Sequence, residues 1–116
     1  MRRGSRLISR RALTNLSNRL SDAGDTAGAL AAIREAVEIR RRLAQENAAR
    51  FAADLALSLN NLSLRLSAAG DNAGALAAIR EAVEIYRRLA QENAARYGTA
   101  LKRSLAVLRR LEGRDG

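Results

Sequence analysis

The stretch AGALAAIREAVEI runs from Ala27 to Ile39 and recurs unchanged from Ala73 to Ile85. At this offset of 46 residues, Gly24–Arg50 and Gly70–Arg96 agree at 25 of 27 positions. The two exceptions are Thr26 against Asn72 and Arg40 against Tyr86. The match extends upstream, where LTNLSNRLSDAG (Leu13–Gly24) lies over LNNLSLRLSAAG (Leu59–Gly70). It resumes downstream, where Phe51, Leu55, Ser58, Leu59 and Leu62 lie over Tyr97, Leu101, Ser104, Leu105 and Leu108. A period of about 20 to 50 residues is the mark of stacked units, each covering its neighbour's apolar face.

Each unit reads as two helices. Leu55, Leu59, Leu62 and Leu66 step by fours and threes, which places them in one stripe of a first helix. Gly70 suits the left-handed position after it. Asp71 or Asn72 can cap the next helix, as Asp25 or Thr26 can in the first copy. In that second helix Ala75, Leu76, Ile79, Ala82 and Val83 form the buried face, and the alanines leave room for another helix. Arg80, Glu84 and Arg88 lie four apart on the outer face. With no proline in the chain to stop it, the second helix is expected to run past Leu89 to Asn93. Gly28 and Gly74 sit in the first turn of the second helix, where close packing of a neighbouring helix and a neutral legacy of duplication both explain them.

Composition removes several functions. The 116 residues hold no cysteine and no histidine, hence no disulfide, no thiolate nucleophile and no imidazole base or ligand. No cofactor is expected. The apolar run in MRRGSRLISRR is too short for a signal peptide, and no stretch approaches the ~18 apolar residues of a membrane span. The expectation is a cytoplasmic protein without membrane contact. The net charge is +9, with six arginines and no acid in residues 1–19, balanced charge in 20–96, and five bases against two acids in 97–116. The basicity therefore lies at the two ends, where it serves solubility or meets an acidic partner.

On these residues the chain resembles a tetratricopeptide repeat. That family's helical hairpin carries large, large, small, large residues on its first helix, filled here by Leu59, Leu62, Ser63 and Leu66. A glycine turn follows at Gly70, then small, large, small at Ala75, Ile79 and Ala82. The first copy offers Leu13, Leu16, Ser17, Leu20, Gly24, Ala29, Ile33 and Ala36. The LNNL motif and the long second helix are similar to the extended repeats of kinesin-light-chain-like and actinobacterial arrays. Leucine stands where the family often has tryptophan and tyrosine, and Arg41 and Arg87 replace the closing proline.

The resemblance implies an all-α, right-handed solenoid of antiparallel hairpins, about two and a half repeats or five helices, in a single domain over 1–116. Repeat 1 spans about 5–50 and repeat 2 about 51–96; a capping helix spans about 97–112. It also implies a scaffold that binds a peptide or partner protein in the concave groove of the first helices. Asn15 and Asn61 match the family's peptide-holding asparagine, and an amide can serve both a peptide N–H and a C=O. Arg11, Thr14, Asn18, Leu57, Asn60 and Leu64 are further groove candidates, with Arg103 and Arg110 from the last helix. Arginines at the groove's ends suit an acidic or C-terminal carboxylate ligand.

Other classes rank lower. Leu101, Leu105, Leu108 and Leu111 lack a following hairpin and form a candidate self-association surface, which would make the chain a homo-oligomer. The same leucines are expected in a fragment of a longer array or an engineered one. Nucleic-acid binding through the basic ends would be weak and non-specific, because Phe51, Tyr86 and Tyr97 are the only aromatics for stacking. An enzyme is not expected: Lys102 and Ser104, two apart on a helix, point to different faces, and the pairs Glu35/Glu38 and Glu81/Glu84 have no histidine to complete a metal site.

Overall fold

The computed structural model describes residues 25–115 together with Asn15, Leu16 and Arg19, which are helical. Four helices fill the continuous part: α1 (Thr26–Glu46), α2 (Ala48–Ala68), α3 (Asn72–Glu92) and α4 (Ala94–Asp115). The described residues contain no strand. Each helix packs on the next in chain order. Arg40 of α1 reaches Ser58 of α2, and Arg80 of α3 comes within 3.9 Å of Glu112 of α4, so successive helices fold back on one another.

The helix ends follow from a few polar side chains. Asp25 and Asp71 each accept a hydrogen bond from a first-turn N–H, that of Gly28 or Gly74, at 2.8 Å. Thr26 and Asn72, the alternative caps, are instead the first helical residues. The crowding at these glycines comes from the cap. A Cβ on Gly28 or Gly74 would lie 2.5 Å from the carboxylate of Asp25 or Asp71, and the three nearest atoms all belong to that aspartate.

The second helix ends at Glu92, one residue short of the expected Asn93. Asn93 and its twin Asn47 adopt an extended φ of −151° and join two helices by a single residue. The backbone N–H of each donates back to Leu43 or Leu89 at 2.9 Å. The side-chain oxygen of each accepts from the first turn of the next helix, at Arg50 or Arg96. One asparagine thus satisfies orphan groups of both helices. As a result α4 begins at Ala94, ahead of the boundary at 97 drawn from the sequence match, and extends beyond 112.

The other link is a glycine turn. Gly70 has φ +87°, its N–H donates to Ser67, and the N–H of Asp71 donates to Leu66 at 2.9 Å. This is the paired hydrogen-bond pattern of a Schellman ending.

The core lies between the helices. It joins Ile33, Ala36 and Val37 of α1, Leu55, Leu59, Leu62 and Leu66 of α2, and Ala75, Leu76, Ile79, Ala82 and Val83 of α3. Burying each large aliphatic contributes roughly 1.5 to 3 kcal/mol. Ala29, Ala36, Ala56, Ala75 and Ala82 are completely buried and let the helix axes approach. Leu16 departs from its sequence equivalent: Leu62 is 9% exposed between α1 and α3, whereas Leu16 is 40% exposed.

Candidate functional site: the groove between the second and fourth helices

Helices α2 and α4 lie side by side, and two clefts open between them. The first, about 220 Å³, is lined by Leu57, Asn60 and Asn61 from α2 and by Ala100, Arg103 and Ser104 from α4, with Tyr86 of α3 also on its wall. The second, about 260 Å³, is lined by Leu64, Ser67 and Ala68 facing Val107, Arg110 and Leu111. Leu57 and Leu64 are seven residues apart on α2, and Arg103 and Arg110 are seven apart on α4. Two turns of helix separate each pair, so each keeps to one face. The offset of 46 also makes Leu57 equivalent to Arg103 and Leu64 to Arg110. The same register position therefore presents an apolar wall on one helix and a cationic wall on the next.

Small buried hydroxyls bring these walls together. Ser58, Ser63 and Ser104 are at most 1% exposed. The hydroxyl of Ser63 donates to the Asn60 carbonyl oxygen at 2.8 Å, and that of Ser104 donates to Oδ1 of Asn60 at 3.0 Å. The second bond ties α2 to α4 and fixes the Asn60 amide, whose N–H groups are left for another acceptor. One repeat earlier, on α2, Ser58, the twin of Ser104, accepts from the buried Arg40.

Leu57 is 48% and Leu64 is 37% exposed, unusual for leucines and placed along the groove. Arg103 and Arg110 are exposed, and among the described residues no carboxylate pairs with them. The groove thus offers apolar contact on one side and unneutralised positive charge on the other. Burial, then the charge of Asp54, then Tyr97, raise the Tyr86 phenol above its ordinary pKa, so it stands as a neutral hydroxyl at the groove.

Six residues expected at a groove, Leu57, Asn60, Asn61, Leu64, Arg103 and Arg110, are brought together here. Asn15 is helical and exposed. Arg11, Thr14 and Asn18 lie outside the described residues. Sequence reasoning missed Tyr86, Ala100, Ser104 and Val107. The available signal was the Arg40/Tyr86 exception, because a position that changes inside a near-perfect copy sits at the first cleft.

The leucines of α4 need one correction. Leu111 is buried at 3% exposure, with Val107 and Ser104, on the side facing the rest of the array. Positions 104, 107 and 111 share one face at the helical period, whereas Leu101, Leu105 and Leu108 flank it and are only partly buried. Tyr86 is also too buried, at 6% exposure, to be a stacking platform. The side chains of Arg50 and Arg96 lie over the rings of Phe51 and Tyr97 at 5.1 and 5.2 Å.

A larger cleft of about 400 Å³ lies where α1 hands over to α2, lined by Ala44, Ala48, Ala49, Ala52, Leu55, Ile85 and Leu89, with Arg88 and Glu92. Its alanines are too short to fill the bend, and Arg88 already pairs with Glu84 at 3.3 Å. It lacks the convergent polar groups of the α2–α4 groove.

No described helix is long and apolar enough to cross a membrane. No curated protein and no solved structure matches the chain. A family model described as tetratricopeptide repeat matches residues 10–47 and again 55–93, each match taking in most of one copy of the duplicated unit. With its paired helices, glycine turn and small–large–small packing face, the chain belongs to the tetratricopeptide repeat family.

Proposed function

We propose that the groove between α2 and α4 holds a peptide segment of a partner protein, one carrying both aliphatic and acidic side chains. Tetratricopeptide repeats generally mediate protein–protein interaction and generally act as non-enzymatic scaffolds. The observation that carries the reading is the pairing of exposed Leu57 and Leu64 with Arg103 and Arg110 across the clefts. Apolar side chains of the ligand would cover the leucines, and its carboxylates would meet the arginines in charge-assisted hydrogen bonds. Asn61 and the N–H groups of Asn60 would hold the ligand backbone, with Asn15 extending the row. In this reading residues 1–116 form one right-handed array of five helices.

The test is selection from a random peptide display library on the immobilised chain. Enriched peptides should combine acidic and aliphatic residues. They should lose affinity for Leu64→Glu and for Arg103→Glu/Arg110→Glu, and bind more weakly as salt rises. Failure to enrich any peptide, or enrichment of peptides indifferent to these substitutions, overturns the assignment.

A further inference from the structure

The two clefts of the groove repeat one pattern with different chemistry. Every lining residue that α2 and α4 give to the first cleft has a counterpart seven residues on in the second. Leu57 and Arg103 recur as Leu64 and Arg110, but the residues around them change character. Asn61 gives way to Ala68, Ala100 to Val107 and Ser104 to Leu111. Seven residues of helix advance about 10.5 Å, which sets the separation of the clefts.

The first cleft collects hydrogen-bond donors. Asn60 has its side-chain oxygen engaged by Ser104, which leaves its N–H groups for a ligand, beside the guanidinium of Arg103 and the neutral hydroxyl of Tyr86. Asp54, whose charge reaches Tyr86, is not on the lining. The second cleft is aliphatic apart from Ser67 and Arg110. Helix α2 ends at Ala68, so the negative pole of its dipole lies there and disfavours an anion. A carboxylate thus belongs in the first cleft and an aliphatic side chain in the second. At about 220 and 260 Å³, the clefts admit side chains and not a whole helix.

The separation selects the ligand's backbone, because both side chains must leave it on one side. In a β-strand, residues on one face are two or four apart, at about 7 or 13 Å, and miss the spacing. In a polyproline II helix every third residue lines up, at roughly 9 Å. An α-helix lying over the groove would match at seven residues, but its backbone carbonyls are spent on its own hydrogen bonds. An extended backbone keeps carbonyls for the Asn60 N–H groups, whose amide Ser104 holds in place. We infer, on the reading of this groove as a peptide site, that it selects a ligand in the polyproline II conformation. Such a ligand places a carboxylate side chain in the first cleft and an aliphatic one, three residues away, in the second.

The test uses the full chain and synthetic proline-rich peptides containing Glu-Pro-Pro-Leu, Glu-Pro-Leu or Glu-Pro-Pro-Pro-Leu, with binding read by calorimetry. The first should bind several-fold more tightly than the other two. Arg103→Glu should weaken it several-fold and reverse the preference toward Lys-Pro-Pro-Leu, whereas Arg110→Glu should weaken it less. Leu64→Glu should erase the advantage of Glu-Pro-Pro-Leu over Glu-Pro-Pro-Ala. Equal affinity for the three spacings, still sensitive to Arg103→Glu and Leu64→Glu, overturns this inference and leaves the groove as a peptide site. Tighter binding of a helical peptide with glutamate and leucine seven residues apart overturns it as well. Absence of binding by all three peptides also overturns it, and the display selection then decides the peptide-site reading separately. Binding that ignores both substitutions removes the peptide-site reading and this inference together.

Discussion

Arg41 of α1 and Glu81 of α3 form a two-pronged ion pair across neighbouring repeats, with contacts of 2.6 and 3.1 Å. The two side chains remain 44% and 36% exposed, so solvent screens much of the attraction. Repeats in this array are held by their alanine, isoleucine and leucine faces, to which the exposed ion pair adds little. A double-mutant cycle with Arg41→Ala and Glu81→Ala should give a coupling below about 1 kcal/mol. Ile79→Ala, which empties a site at 0% exposure, should cost about 2 to 5 kcal/mol in denaturant unfolding.

The caps give a sharper test, because two substitutions at one helix end should depend on each other. Asp71→Ala removes the acceptor for the Gly74 N–H and should cost about 1 kcal/mol. Gly74→Ala would ordinarily stabilise a helix by up to ~1 kcal/mol. Here the new Cβ would sit 2.5 Å from the Asp71 carboxylate, so the gain should vanish in the wild-type background. It should return in the Asp71→Ala background. Thermal unfolding of the two single variants and the double variant checks this.

Gly70 and Gly98 should respond in opposite directions to alanine, although neither has an atom within 4 Å of a new Cβ. Gly70 is held at φ +87° by the helix ending, where an L-residue costs about 1 to 2 kcal/mol. Gly98 lies inside α4, where alanine should stabilise by about 0.5 to 1 kcal/mol. Urea midpoints of the two variants separate the effect of conformation from that of space.

Much of the fold was legible because the chain states its pattern twice. Leu55, Leu59, Leu62 and Leu66 could be assigned to one buried stripe by spacing alone, and Gly70 to a left-handed turn by residue type. The single-residue breaks at Asn47 and Asn93 were not legible in the same way. Asparagine is tolerated inside a helix, and only its φ and its two capping bonds reveal it as an ending. In α4 the leucine count misled. Leu111 faces the core while Leu101, Leu105 and Leu108 do not fully, a difference that depends on which side α3 occupies. The groove positions on α2 and α4 followed from the repeat register. The Ser104–Asn60 bond and the place of Tyr86 required the relative placement of three helices.

Tyr86 makes stability depend on pH in the alkaline range. Its folded-state pKa lies above the value of about 10 for an unperturbed phenol, because burial disfavours the phenolate first and Asp54 and Tyr97 add to it. A raised folded pKa means that the unfolded chain loses the proton more readily. The stabilising contribution is complete below about pH 10 and is lost as pH rises through the folded-state value. Unfolding free energy measured across this range should fall for wild type and fall less for Tyr86→Phe. Equal slopes would show that the phenol does not sense its surroundings.

The proposed function requires a partner segment to lie between α2 and α4. It is tested most directly by titrating the isotope-labelled chain with the tightest peptide from the display selection and mapping the perturbed backbone amides. The largest shifts should fall on Leu57, Asn60, Asn61, Leu64, Arg103 and Arg110. Shifts concentrated instead on the outer-face residues Arg34, Glu38, Arg80 and Glu84, with the groove unmoved, would contradict it.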